Sequence, residues 1–234
     1  MREQITFEYG ADLYYRARAA VGADAINITG EITQGRGAIR DVEIDYDGSR
    51  LLFSMRTPFI EGVDEEDQPA TWNIWQYTFA TGELVRVIAD DLTAEIGHDI
   101  MPKYLPDGRI ILASTAAYEG VPCVGGNAYV ANLYRINHDG TDVRRLTFDQ
   151  DASWHPSVME NGRVLFTRWE YVDKGFGNVQ SLWAMHPDGS FVVVWESGGS
   201  SGSDSSYGSI QGQRFGPAGG PAGDEFQINT TTTG

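Results

Sequence analysis

The chain has 234 residues, with 33 Asp and Glu against 17 Lys and Arg, a net charge of −16 and 41% hydrophobic residues. That apolar share is enough for a buried core and excludes wholesale disorder, and the length fits one large domain or two small ones. The acid excess argues against nucleic acid or an anionic membrane as partner, no apolar run approaches the roughly 20 residues of a membrane helix, and a lone cysteine, Cys123, excludes an internal disulfide or a multi-Cys zinc site. The opening residues, Met1 to Glu8, hold no apolar run of signal-peptide type. Asp12-Leu-Tyr-Tyr-Arg and Ala25-Ile-Asn-Ile-Thr then read as two short paired strands; the alanine-rich stretch from Ala11 to Ala25 offers one short helix at most, opposed by Tyr14, Tyr15 and Gly22.

Three segments then repeat one pattern. Asp41 to Ser54, Asp99 to Ser114 and Trp154 to Thr167 each read as a strand, a turn ending in Gly48, Gly108 or Gly162, and an apolar strand. Asp-Gly and Asn-Gly are strong hairpin signals because glycine accepts the positive φ of the turn. Leu51-Leu-Phe, Ile110-Ile-Leu and Val164-Leu-Phe are continuous rather than alternating, as in strands covered on both faces. An outer hairpin follows each inner one: Asn73 to Phe79 with Leu84 to Ile88, Asn132 to Asn137 with Val143 to Thr147, and Ser181 to Met185 before a Pro187-Asp-Gly-Ser turn. Each unit is thus four antiparallel strands, a to d, and such units in series make a β-propeller. The expectation is an all-β, partial β-propeller of three to four blades over residues 1–186, with blades at about 41–88, 99–147 and 156–190. A Gly/Ser-rich unit with strands over 187–234 follows. The N-terminal pair either shares a blade with strands near Ser209–Phe215 and Phe226–Thr230 or leaves the ring open, the latter being preferred.

In an a–b–c–d meander the b–c and d–a loops share one end of the blade. Here they are long: 57–72, 116–131 and 169–180 for b–c, and 89–98 and 148–155 for d–a. Long loops on a rigid scaffold are where binding residues gather. That end is acidic, with Glu61, Asp64, Glu65, Glu66 and Asp67 in one loop and Asp90, Asp91, Glu95, Asp149 and Asp151 in the d–a loops. Two roles are open for them, a docking surface for a basic partner or a cation site on one side and plain solvated loops on the other. His98 has no counterpart in the third unit, where Ala152 stands. With Asp99 beside it, His98 is either a metal ligand or base, or a buried imidazole bonded to backbone, the commoner role. Trp154 and His155 open the third unit, His155 reading as structural. Arg168, Trp169, Glu170 and Tyr171 form either a recognition patch or a packing device in which Arg168 meets a carboxylate and Trp169 fills a wedge between blades.

The stretch Pro106-Asp-Gly-Arg-Ile-Ile-Leu, with Asn132-Leu-Tyr-Arg-Ile-Asn-His-Asp-Gly-Thr-Asp-Val-Arg-Arg-Leu-Thr, resembles the TolB-type propeller repeat. The combination of His98-Asp99 and Pro102-Lys-Tyr-Leu-Pro-Asp-Gly-Arg with Trp154-His-Pro-Ser-Val and Phe166-Thr-Arg-Trp-Glu-Tyr-Val-Asp resembles the propeller region of hydrazine synthase alpha subunit-like proteins over about residues 9–186. In that family the chemistry belongs to c-type haems attached through Cys-x-x-Cys-His. Here Cys123 sits in Cys-Val-Gly-Gly-Asn, so no cofactor is expected from this chain. The resemblance implies the fold and an exported, periplasmic or extracellular setting. Asp188 to Ser197, Ser209 to Phe215 and Asp224 to Thr230 resemble a repeat of large bacterial cell-surface proteins. No Gly-x-Ser-x-Gly elbow, His-Glu-x-x-His or phosphate loop occurs. The preferred expectation is a non-catalytic scaffold or protein-interaction module of an exported bacterial protein, with a protein partner at the acidic long-loop face and without nucleic acid or membrane insertion. The alternatives are a fragment of a hydrazine synthase alpha-like haem protein and a small-ligand or metal binder around His98.

Overall fold

The Asp-Gly and Asn-Gly turns set the punctuation of the chain. Gly48, Gly108 and Gly162 take φ of +72°, +83° and +76°, the left-handed region that a β-carbon resists. Their N–H groups close the turns onto Asp45, Leu105 and Met159 carbonyls, each at 2.9 Å. The structure is a computed structural model that describes residues 7–121, 129–169, 180–197 and 209–228. Cys123, Glu170 and Tyr171 lie outside the described residues.

Strands β1 (Tyr14–Tyr15) and β2 (Ile26–Asn27) pair antiparallel, with Tyr14 opposite Asn27. A one-turn helix, α1 (Gly30–Thr33), leads into a four-stranded sheet in chain order: β3 (Ala38–Ile44), β4 (Arg50–Arg56), β5 (Asn73–Thr78) and β6 (Glu83–Arg86). A second one-turn helix, α2 (Asp91–Ala94), crosses to the second sheet, again in chain order: β7 (Asp99–Tyr104), β8 (Ile110–Ser114), β9 (Asn132–Ile136) and β10 (Arg144–Arg145). The third sheet holds β11 (Ala152–Val158), β12 (Val164–Trp169) and β13 (Gln180–Met185). The protein is all-β, and its successive meander sheets are of β-propeller type.

Burial follows the continuous apolar runs. Leu52 and Ile74 of the first sheet meet Tyr104, Ile110, Leu112, Tyr134 and Ile136 of the second in one core. On the other face of the first sheet, Leu51, Phe53, Met55 and Tyr77 form a second core, against which Leu13 and Ile28 of the N-terminal hairpin pack. The third central strand departs from expectation. Val164 and Phe166 are buried, but Leu165 is only half-buried and Leu182 is 73% exposed. The third sheet packs on the second through β11, and its other face carries little cover among the described residues.

Each first strand carries a bulge, between Arg40 and Glu43, Ile100 and Lys103, and Trp154 and Ser157. At these bulges Asp41, Met101 and His155 take φ of +57°, +57° and +52°. The side chain at one bulge accepts the N–H of the next. Met101 N–H donates to Asp41 Oδ2 at 3.0 Å and His155 N–H to Met101 Sδ at 3.3 Å. The innermost strands β3, β7 and β11 are thereby ordered side by side, as wedges around a common axis are.

Residues 184–234 form a second compact unit. In it β14 (Phe191–Ser197) pairs with β15 (Ser209–Phe215) over seven residues, and β15 pairs with β16 (Phe226–Gln227). One expectation is corrected. The third sheet lacks its expected fourth strand among the described residues, because the run after the Pro187-Asp-Gly turn is β14 and its partner is β15. Helix is also present where loops were read: Asp90 caps α2, its Oδ2 accepting from Thr93 N–H at 2.8 Å and Thr93 Oγ1–H at 2.6 Å.

Candidate functional site

The β4–β5 loop carries the densest run of acids, and two buried polar side chains hold its shape. Gln68 Oε1 accepts from Ile60 N–H, and its Nε2 donates to the Ile60 and Val63 carbonyls, all at 2.8 Å. Arg56, at the end of β4, donates through Nε to the Ala70 carbonyl at 2.7 Å and through Nη2 to that of Gln68 at 3.3 Å. Its guanidinium lies 4.5 Å from the Phe7 ring centroid. Burial lowers the Arg56 pKa to about 10, opposed by nearby Glu65, so Arg56 stays charged at neutral pH. A single 3-10 turn spans Glu65–Asp67. Glu65 Oε1 turns inward and accepts Phe7 N–H at 2.8 Å. Glu66 shares the turn, and Glu61, Asp64 and Asp67 point to solvent with no ion pair among the described residues.

The acids of the d–a crossovers behave differently. Arg86 pairs with Asp91 and, at 3.4 Å, with Glu95. Glu95 also accepts Thr71 Oγ1–H at 2.6 Å. Asp149 lies 2.7 Å from Arg168 Nε and accepts the Ser153 hydroxyl, and Asp151 is also partnered. The acidic end therefore divides. The crossover carboxylates tie segments together, while Glu61, Asp64 and Asp67 of the β4–β5 loop have no ion pair among the described residues.

His98 sits just before β7 and faces backbone. Its Nδ1 accepts Trp72 N–H at 3.2 Å, which puts the ring proton on Nε2, and its own N–H donates to Thr115 Oγ1 at 2.9 Å. Burial, with a lesser push from the Arg56 charge, lowers its pKa to about 4, so the imidazole is neutral. No group of three His, Cys, Asp or Glu able to hold a metal occurs among the described residues. Asp99 is only 6% exposed. Burial raises its pKa to about 7 against the Ser114 hydroxyl, and Glu95 raises it further.

The remaining candidates lie apart from these. Trp154 on β11 is buried, its Nε1 without a hydrogen-bond partner among the described residues, and its ring meets His155 edge-on at 6.2 Å. His155 is exposed at its bulge, and partial burial lowers its pKa against the pull of Asp41. Arg168 stacks 4.7 Å over Trp183, and Trp169 is half-buried. Sequence reasoning missed Arg56 and Gln68. Arg56 had a signal, a charge ending the apolar strand Leu51 to Met55, whereas nothing local marked Gln68 as buried.

No protein-family model matches the chain, and no curated protein matches it. Among solved structures it is similar to hydrazine synthase from Kuenenia stuttgartiensis, at a TM-score of 0.52 and 16% identity over 72% of this chain. TolB from Acinetobacter baumannii aligns at a TM-score of 0.42 and 16% identity, covering 84% of this chain and 44% of that one. This chain spans 26% of the hydrazine synthase chain, and the likeness between them is one of fold, the β-propeller type that the repeated sheets display.

Proposed function

We propose that residues 1–183 serve as a non-catalytic propeller scaffold in an exported bacterial protein, and that the β4–β5 loop docks a basic protein partner. The observation that carries this is the contrast within one loop. Gln68 and Arg56 fix its backbone with five hydrogen bonds, while Glu61, Asp64 and Asp67 stand exposed. A preorganised loop loses less conformational freedom on binding, and its charge speeds encounter with a cationic surface. The exported setting rests on the sequence resemblance. No helix among the described residues is long and apolar enough to cross a membrane.

The test neutralises the three exposed acids together, as Glu61→Gln, Asp64→Asn and Asp67→Asn. Immobilised wild-type chain should retain a partner from the cells that make it, released by about 0.5 M salt as screening shortens to a few ångströms. The triple variant should bind that partner about tenfold more weakly at low salt and equally at high salt. A purified chain that stays solitary at low salt and high concentration overturns the proposal.

A further inference from the structure

A cavity of about 60 Å³ lies where the α2 crossover passes over the second sheet. Ile88 and Ile96 of the crossover close one side, and Leu112, Ile136 and Val143 of the sheet close the other. Asp99 and Ser114 line it as neighbours paired across β7 and β8, with Thr93 and Tyr134 as the other polar side chains. Water is poorly served here, since each buried water wants about three polar partners. Ser114 is already used: its Oγ accepts Ala116 N–H at 3.2 Å and its hydroxyl bonds Asp99. Asp99 is the unusual feature. It is a carboxyl buried against aliphatic side chains; Glu95 of the crossover, itself paired with Arg86, raises its proton affinity, and among the described residues no Lys or Arg forms an ion pair with Asp99. A buried carboxylate without a cation is costly, and a cation delivered with its own apolar tail would fit both halves of the lining.

We propose that this cavity is a binding site for a short primary alkylammonium ion of two or three carbons, its charge on Asp99 and its chain against Ile88, Leu112 and Ile136. The size limit follows from volume. On the same measure one water needs roughly 15 Å³, so the cavity has room for about four heavy atoms. So few atoms limit the affinity to about millimolar. The site lies on the inner side of the crossover and is independent of the docking loop.

The experiment titrates the whole chain at pH 8 with methyl-, ethyl-, propyl- and butylammonium chloride, reading thermal stability and amide shifts of 88–116. The same-length alcohols with matched sodium chloride run in parallel. Saturable binding should peak at two or three carbons, and the ammonium should bind at least tenfold tighter than its alcohol. Asp99→Asn keeps the side-chain shape and should remove that tenfold preference while leaving the alcohols unchanged. Equal response to alcohol and ammonium overturns the proposal, as does a response to neither or a preference that survives Asp99→Asn. The wild-type comparison alone decides the matter if the variant folds poorly.

Discussion

Asp99→Asn is expected to stabilise the protein by about 4 kcal/mol at pH 8 and to leave it unchanged near pH 4, an effect set by the roughly 1.4 kcal/mol that each pKa unit carries. The sign follows from which state holds the proton. Folding raises the Asp99 pKa from 3.8 to about 7, so between those values the native state keeps a proton that the unfolded chain has lost. The cost of ionising the buried carboxyl therefore grows as pH rises through this window and is complete above it. His98 runs the other way. Folding lowers its pKa from 6.5 to about 4, so on acidification the unfolded chain takes up a proton that the native imidazole refuses. That costs about 3 kcal/mol by pH 4. In the wild type the two neighbours offset each other, since acid relieves Asp99 while it penalises His98. The variants separate them. Asp99→Asn should lose stability steadily from pH 6.5 to 4. His98→Asn, whose Oδ1 can still accept Trp72 N–H, should gain stability over the same range. Urea midpoints from pH 4 to 8 check this, and variants that track the wild type throughout would show that neither group is buried as described.

Gly140→Ala is expected to cost about 3–5 kcal/mol, the sum of a left-handed β-carbon and an overpacked contact. Gly140 closes the β9–β10 turn at φ +79°, and an added β-carbon would stand 2.0 Å from the Val87 carbonyl oxygen and 2.8 Å from Ile88 Cα. Both atoms are backbone and cannot rotate away. Gly108 is the internal control, at φ +83° with nothing within 4 Å of where a β-carbon would stand. Gly108→Ala should cost only about 1–2 kcal/mol, the conformational part alone. Denaturant unfolding with unchanged slope measures both. Equal losses would mean that the second sheet's turn does not lean on the end of the first sheet.

The sheets were legible because their cause is local. A glycine with positive φ between two apolar runs specifies a hairpin whatever surrounds it, and Gly48, Gly108 and Gly162 each closed one. Strand partnership beyond the hairpin was not legible. The run Phe191 to Ser197 suits any sheet with a free edge, and only the register against Ser209–Phe215 decides its place. The Asp90 cap was present in the sequence as Asp-x-x-Thr but lay in a segment read as loop. At the candidate site, composition revealed the acids but not their partners. Arg86 reaches Asp91 and Glu95 only because β6 and α2 fold together, while Asp64 and Asp67 make no such ion pair among the described residues. The Asp99 cavity has the same non-local origin, assembled from β7, β8, β9 and the crossover.

The proposed division into a binding end and a closed end is tested most directly by site-specific photocrosslinking in the cells that make the protein. A photoreactive side chain at position 64, in the β4–β5 loop, should capture a protein in high yield. The same group at position 107 or 139, in the tight turns at the opposite end, should capture none. Equal capture from both ends, or capture from the turns alone, would contradict the assignment of the long-loop end as the docking surface.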